Sequence, residues 1–495
     1  MLPINCGSHA DYQNFVVTNL RKYYPNPNAL ARSTWDIIER FWNLDLSFTD
    51  NFMADKYSKF GPAPRTPSCM QRSYLLSIDF KVTSLTEWAT QLKMNPLYAI
   101  LSRFEPDNTP SVGTFYDFFN RLWISDDDHM SPHIHPLKTK VKKPKTKGTK
   151  ADSVEKVTVA DLLPTLEKTD FKLDEQPYSS LFKIYQKEFL EISVSTGLIH
   201  ADALALAGDG TPIVTSHRER KKRICKCKEN GIHDCNCDRY FSQPDCDIGW
   251  DSSRDCYYHG YDLYMLVDSQ SDLPVFPHFS CASKHDSHGF LHAFFRMKSF
   301  LPEYSVSKVL LDSAHDAMPY YQYFKRENIT PFIDLNGKGG RPPVYKNDFT
   351  IDKDGVPICP SGYRMRRDGI EVAKGRMKFK CPKISHADSC ISCTCKKPCS
   401  NAKYGRTVHL VLKDNPRLFN NPPRSSKEWK LEYNARTSAE RSNKREKLDF
   451  KPEDSGHRST KMWYCRLYHI LMLQHLDAWD LPPESPLKKL ILNAA

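Results

Sequence analysis

Two apolar runs that each end in an aspartate constrain this chain more than anything else in it. Leu204-Ala205-Leu206-Ala207-Gly208 leads into Asp209, and Lys308-Val309-Leu310-Leu311 leads into Asp312. Short apolar runs of this kind read as buried strands. A carboxylate closing a buried strand is costly unless it is hydrogen-bonded, paired or bound to a cation. Either acid alone is more simply a turn or a helix cap. If the two strands are neighbours, both acids share one edge of a sheet, and a cation site becomes plausible.

The surrounding pattern is α/β. From about residue 176 onward, Tyr261–Val267 and Pro274–Pro277 read as paired strands around a turn at Ser269 to Asp272. A helix over Gly289–Phe300 leads into the Asp312 strand, and a helix around Tyr320–Arg326 precedes a third strand, Pro331–Leu335. This order predicts a mixed sheet with helices packed on it. Residues 1–130 carry apolar side chains at helical spacing, as in Trp35–Trp42, Leu85–Leu92 and Phe115–Leu122, and read as a helical region. Residues 131–175 read as a basic linker. Lys138, Lys140, Lys142, Lys143, Lys145, Lys147 and Lys150 stand there without an acid among them, punctuated by Pro136 and Pro144. Such a stretch buries too little to offset its ordering entropy; it is either solvated or laid on phosphates. Thr460–Trp479 reads as an amphipathic core helix, and 481–495 as a tail.

With 71 Lys+Arg against 59 Asp+Glu, the net charge of +12 suits a polyanionic partner without requiring one. No run approaches the ~18 apolar residues of a membrane span. The opening residues, Met1–Cys6, have neither a charged nor an apolar leader region, so a cytoplasmic protein is expected. Sixteen cysteines then point to thiols or metal sites rather than disulfides. One cluster holds Cys225-x-Cys227 and Cys235-x-Cys237, near Cys246 and Cys256 and preceded by the basic stretch Arg218–Arg223. Its one-residue spacings are less usual for zinc than two to four, leaving a reduced loop or a basic zinc knuckle. In the other, Cys390-x2-Cys393 has zinc spacing, and Cys359 and Cys381 complete a four-thiolate set for structural Zn²⁺. The histidines, His233 and His315 included, read as structural or surface groups.

The segment Tyr433–Lys447 is different in kind. Taken as one helix at ~100° per residue, it places Tyr433, Arg436, Glu440 and Lys447 within an arc of roughly 60°. A solvated charged face accounts for such a stripe. So does an anionic substrate held with a metal, Glu440 ligating the cation while Arg436 and Lys447 hold phosphate oxygens.

Tyr433-x2-Arg436-x3-Glu440-x6-Lys447 resembles, at every position, the Y-R-E-K signature of DDE transposases of bacterial insertion sequences. Gly208-Asp209-Gly210-Thr211 and Leu310-Leu311-Asp312-Ser313 resemble that family's first and second acidic motifs. Lys284-His285-Asp286-Ser287 resembles its H-D-S turn, and Phe332–Asn336 the strand after the second acid. Pro106–Phe115 is similar to its N-terminal helical region, so the likeness covers roughly residues 70 to 480. It implies a ribonuclease H-like catalytic core over 176–480, with Asp209, Asp312 and Glu440 as an acidic triad for two Mg²⁺ or Mn²⁺ ions. It also implies that Tyr433, Arg436 and Lys447 bind DNA. The activity implied is that of a nucleoid-associated DNA transposase, a homodimer at synapsis, which cleaves double-stranded transposon ends and joins them to target DNA. Asp312 and Glu440 lie 128 positions apart, so an insertion is expected at about 337–430. The cysteine segment at about 217–258 is the first insertion in chain order and departs from the family's simpler pattern; the stretch at about 337–430 is the second. Two other readings remain: a ribonuclease H-like nuclease that cuts without joining, and an inactive, zinc-stabilised DNA-binding protein.

Overall fold

The apolar run at Leu204 forms the centre of a six-stranded mixed sheet. Its strands are β1 (Leu204–Val214), β2 (Asp247–Asp251), β3 (Cys256–Asp268), β4 (Pro274–Cys281), β5 (Val306–Leu311) and β6 (Thr330–Ile333). The protein is seen here as a computed structural model that describes residues 7–26, 30–58, 60–61, 63–130, 157–215, 222–223, 225–235, 237, 239–240, 243, 245–337, 349–382, 399–400, 405–480 and 486–492. β3 lies antiparallel to β1 on one side and to β4 on the other, while β5 and β6 continue the sheet parallel to β1. Parallel neighbours need crossovers, and the helices Asp286–Phe300 and Met318–Arg326 supply them.

The strands are longer than their apolar runs. β3 reaches back to Cys256 because Cys256–Gly260 pairs with β2. Residues 247–258, expected within the first insertion, therefore belong to the main sheet. No inward apolar alternation marks Asp247–Asp251, because Ile248 and Trp250 are exposed there while Gly249 and Asp251 are buried.

Thr460–Ala478 was expected to be amphipathic, yet 16 of its 19 residues are buried, so it is enclosed on nearly all sides. It packs against the helices Pro67–Asp79 and Val112–Leu122 on one flank and Ser179–Tyr185 on another. Tyr464 stacks on Tyr178 with ring centroids 4.7 Å apart. One apolar core thus runs from Tyr12 in the N-terminal helices through this helix to Leu206 and Val309 in the sheet. Several polar groups it buries find partners: the Arg466 guanidinium donates to the carbonyls of Val82 and Phe450, and His475 meets Tyr185 and Ser193.

Two segments read as unstructured prove otherwise. Within the expected linker, Val159–Glu167 is a helix with a Thr158–Asp161 capping box, packed on the Asp286–Phe300 helix. In the expected tail, Pro486–Leu492 is helical and buries Leu487 and Ile491 in the main core. The lysines at 138–150 lie outside the described residues.

Between β6 and the Glu440 helix, the second insertion builds its own three-stranded antiparallel sheet from β7 (Arg366–Glu371), β8 (Arg376–Lys380) and β9 (Thr407–Val411). Its small core contains Ile351, Met365, Met377, Phe379, Leu410 and Phe419. Arg417 ties the insertion to the turn after β5 by donating twice to Asp316, at 2.8 and 2.6 Å.

Glu188 joins the sheet side to the N-terminal helices. It accepts from the Thr49 amide at 2.8 Å and the Thr49 hydroxyl at 2.7 Å. Burial pushes its carboxyl from 4.5 up to about 8. Folding therefore favours the protonated acid, and stability should fall as pH rises from about 4.5 to about 8. Glu188→Gln should flatten that part of a plot of urea midpoint against pH; an unchanged slope would locate the loss elsewhere.

Candidate active site

Register sets the two aspartates level. Ala207 of β1 pairs with Leu310 of β5, and Asp209 and Asp312 each stand two residues further on. Adjacent strands are about 4.8 Å apart, so both acids sit at one height on neighbouring backbones. β5 ends at Leu311 while β1 continues to Val214, leaving the β5 flank of β1 open beyond the acids. The burial of β1 changes at the same place: Leu204 to Gly208 are buried, and Asp209 begins the partly open half.

Asp312 does act as a cap. Its Oδ1 accepts from the Ala314 amide at 3.0 Å and from His315 Nδ1 at 2.6 Å. A carboxylate only accepts, so Nδ1 carries the hydrogen, and in the neutral ring Nε2 accepts from the Tyr264 hydroxyl at 2.9 Å. A buried Tyr264–His315 pair thus fixes the direction of Asp312. His315, expected as a structural or surface group, is buried and structural, and its position three residues after Asp312 was the signal that tied it to that acid.

The third acid approaches on a helix that is not continuous. Lys427–Asn434 and Thr437–Lys444 are separate α-helical segments, joined by three-residue hydrogen bonds from Ala435 to Tyr433's neighbour Glu432 and from Arg436 to Tyr433. The Thr437 hydroxyl takes the Asn434 carbonyl at the break. Beyond Lys444 the chain widens into a π-turn over Arg445–Asp449. The single stripe expected from uniform helix geometry is therefore interrupted twice. Tyr433 stacks on Trp429 at 4.6 Å, and the Arg436 guanidinium lies over the Tyr433 ring. Arg436 donates to Glu440 at 2.6 Å. Lys447 faces Glu453 instead, at 3.9 Å.

Thr437–Lys444 packs on β1 and β3. Asn443, three residues after Glu440, donates to Asp209 Oδ2 at 3.2 Å. The Asp209 carboxyl is raised to about 7, first by burial and then by Asp286, Asp312 and Glu440, with Arg436 opposing. Burial acts on Asp312 in the same sense, but His315, the Ala314 amide and Arg436 together bring it below its ordinary value. Arg436 is thus the cation that the three acids share. Asp286 and Asp262 complete the group: both are raised by burial, Asp286 further by Asp312 and Asp262 further by Asp286 and Asp209. Sequence reasoning placed Asp286 in the H-D-S turn without a site role, and missed Asp262 and Asn443. Asp262 was detectable as a lone acid within an apolar strand.

The acidic groups at this end of the sheet offer carboxylate oxygens, and one of them, Asp262 Oδ2, is buried with no hydrogen-bond partner. Such a set fits a hard divalent cation better than zinc. The oxygens of Asp209, Asp312 and Glu440 are not gathered as tightly as the cysteines of the first cluster. Cys225, Cys227, Cys235 and Cys237 bring all four sulfurs within 4.8 Å of one another and could hold a metal ion. They lie between the short paired strands Lys222–Arg223 and Arg239–Tyr240, whereas Cys256 belongs to β3. In the second insertion Cys359 and Cys381 are buried; Cys390 and Cys393 lie outside the described residues, and with them the expected four-thiolate set. Among protein-family models and curated proteins, no match to the chain is found. No helix among the described residues is long and apolar enough to cross a membrane.

Replacing His315 by Ala should strand the buried Tyr264 hydroxyl and free Asp312. We expect a loss of roughly 1–3 kcal/mol in urea unfolding. A change within about 0.5 kcal/mol of zero would mean that the pair does not hold the site together.

Proposed function

We propose that this protein is a DNA transposase with a ribonuclease H-like catalytic core. The observation that carries the reading is the pairing of β1 with β5, which levels Asp209 with Asp312 beneath a helix whose Glu440 is tied to both through Arg436. The strand order β4-β3-β1-β5-β6, with its antiparallel half and parallel half, supports the assignment of the core. The resemblance of the Tyr433, Arg436, Glu440 and Lys447 spacing to the Y-R-E-K signature supports the assignment of the chemistry.

On this reading Asp209, Asp312 and Glu440 hold two Mg²⁺ or Mn²⁺ ions. When bound, the ions supply Lewis-acid activation of the attacking hydroxyl and charge stabilisation at the leaving oxygen of a phosphodiester. The protein's own groups set the geometry. His315 and Tyr264 keep Asp312 ionised and aimed, and Asn443 holds one oxygen of Asp209. Arg436, engaged with Glu440 in the free protein, is placed to exchange that carboxylate for a phosphate oxygen. Tyr433, fixed against Trp429, offers a flat partner to the DNA backbone, and Lys447 a second cation further along. The net charge of +12 suits double-stranded DNA, bound by two copies at synapsis.

Incubation with Mg²⁺ and duplexes carrying the gene's flanking inverted repeats tests this. Wild type should cleave and join, while Asp209→Ala, Asp312→Ala and Glu440→Ala should abolish cleavage and keep end binding. Cleavage without joining would make it a nuclease, and binding without cleavage a DNA-binding protein.

The four-cysteine cluster is assigned structural Zn²⁺. Zn–S bonds of about 2.3 Å place tetrahedral sulfurs about 3.8 Å apart. The pairs Cys225–Cys235 and Cys227–Cys237 stand at 3.4 and 3.5 Å. Elemental analysis under reducing conditions should show one zinc fewer in Cys225→Ser/Cys235→Ser than in wild type. An unchanged zinc content would remove the assignment.

A further inference from the structure

We propose that Asp286 is a fourth carboxylate of the cation site, reaching it from the face of the sheet opposite the Glu440 helix. The inference rests on Asp209, Asp312 and Glu440 forming such a site, and adds to it a residue outside the triad.

Successive side chains on a strand point to opposite faces. Asp209 faces the Glu440 helix, because Asn443 of that helix bonds to it. Gly210 therefore faces the other way. A Cβ on Gly210 would stand 2.6 Å from Asp286 Oδ1 and 3.3 Å from Asp262 Oδ1. Two carboxylates from different elements are pressed against the backbone one residue beyond Asp209, in space that only glycine leaves open. Asp286 begins the helix Asp286–Phe300, which packs on this face with Gly289 against the Tyr264 ring. Asp262 pairs with Pro212, so it shares the face of Gly210 and Tyr264.

Asp262 is the second, independent sign that a ligand belongs here. It is 6% exposed, and its Oδ2 has no hydrogen-bond partner. A buried carboxylate is not left unpaired beside another without a compensating charge. The basic groups near the pair are His315 and His285 for Asp286 and Lys447 for Asp262; His315 is committed to Asp312 and Tyr264, and none of the three donates a hydrogen bond to either acid among the described residues. Because β5 stops at Leu311, the edge of β1 is open at this level, and carboxylates from both faces can converge around it. Asp286 is also the strongest charged influence on Asp209, ahead of Asp312 and Glu440.

A simpler account is that Asp286 is an acid in the first turn of a helix, where it favours the macrodipole. That account explains an acid at this position but neither the pressed contact at Gly210 nor the orphaned oxygen of Asp262. The two accounts differ in what an amide should do. A cation ligand changed to Asn loses metal affinity and relieves repulsion in the metal-free protein. A dipole acid changed to Asn loses stability and leaves metal affinity alone.

The test uses the full chain, with Mn²⁺ binding followed by electron paramagnetic resonance and by the rise in melting temperature over a chelator control. Asp209→Asn identifies which binding event belongs to the site. Asp286→Asn should weaken that event about tenfold or more, shrink the Mn²⁺-induced rise, and leave the melting temperature in chelator unchanged or higher. Asp286→Ser, which keeps a helix-starting residue, should do the same if the amide variant folds poorly. Wild-type Mn²⁺ affinity in the folded variants would overturn the role of Asp286 and leave the triad standing. No Mn²⁺ binding in wild type would overturn the cation site itself.

Discussion

Parallel pairing of β1 with β5 fixes Asp209 and Asp312 at one height, and like charges at one height repel. Much of the local structure answers that repulsion. His315 and the Ala314 amide hold Asp312 in its ionised form, while burial favours the neutral form of Asp209. Neighbouring acids are thereby pushed in opposite directions, which lets both occupy one end of a sheet. Arg436 supplies the remaining compensation by engaging Glu440 while its charge reaches both aspartates. A guanidinium is suited to this, since it stays charged under all relevant conditions and its planar fork fits carboxylate and phosphate alike.

Holding such a group together requires rigidity from elsewhere, and the enclosed helix Thr460–Ala478 supplies it. The helix bridges the N-terminal helices and the sheet, so the two cannot shift without disturbing a continuous core. Ser442, beside Asn443, bonds to Gln474 of that helix at 3.1 Å. The Glu440 helix is thus fastened from behind while its acidic side faces β1. Gly210 contributes by omission: any side chain there would displace Asp286.

What the sequence made legible follows from what each signal measures. Apolar runs closing in Asp209 and Asp312 revealed two strands and their acids, because burial demands apolar residues and acids interrupt them. Fixed spacing revealed Arg436 and Glu440, whose hydrogen bond needs only one helical turn. Lys447 was read from the same geometry and fell elsewhere, because a π-turn inserts between it and Glu440. Such a turn depends on tertiary packing around Glu446 and Phe450, which no local period encodes. The joint placement of Asp286 and Asp262 was illegible for a related reason: one stands in the H-D-S turn and the other alone in an apolar strand, and only the tertiary fold brings both against Gly210. The helices at Val159–Glu167 and Pro486–Leu492, which bury only two side chains each among the described residues, were hidden in segments whose polar and proline-rich flanks dominate their composition.

The cysteines show how context, and not residue type, decides what a thiol does. From Cys225 to Cys237 no described residue is buried, so the hydrophobic effect offers nothing to hold that loop. Its turn is closed by backbone bonds such as Ile232 to Cys227 at 2.7 Å, with Gly231 taking a φ of +76° that side chains resist. Four converging sulfurs are what remains to fix its shape, and a segment without a core needs a crosslink or a metal for that purpose. The second insertion presents the reverse case. It has an apolar core of its own, and Cys359 packs within it among Met365, Phe379 and Leu410. A thiol so placed contributes as a small hydrophobic side chain whether or not it also binds a metal. Cysteines in one chain can therefore stand in different contexts: the first loop brings four sulfurs together without a buried core, while Cys359 of the second insertion lies in a packed one.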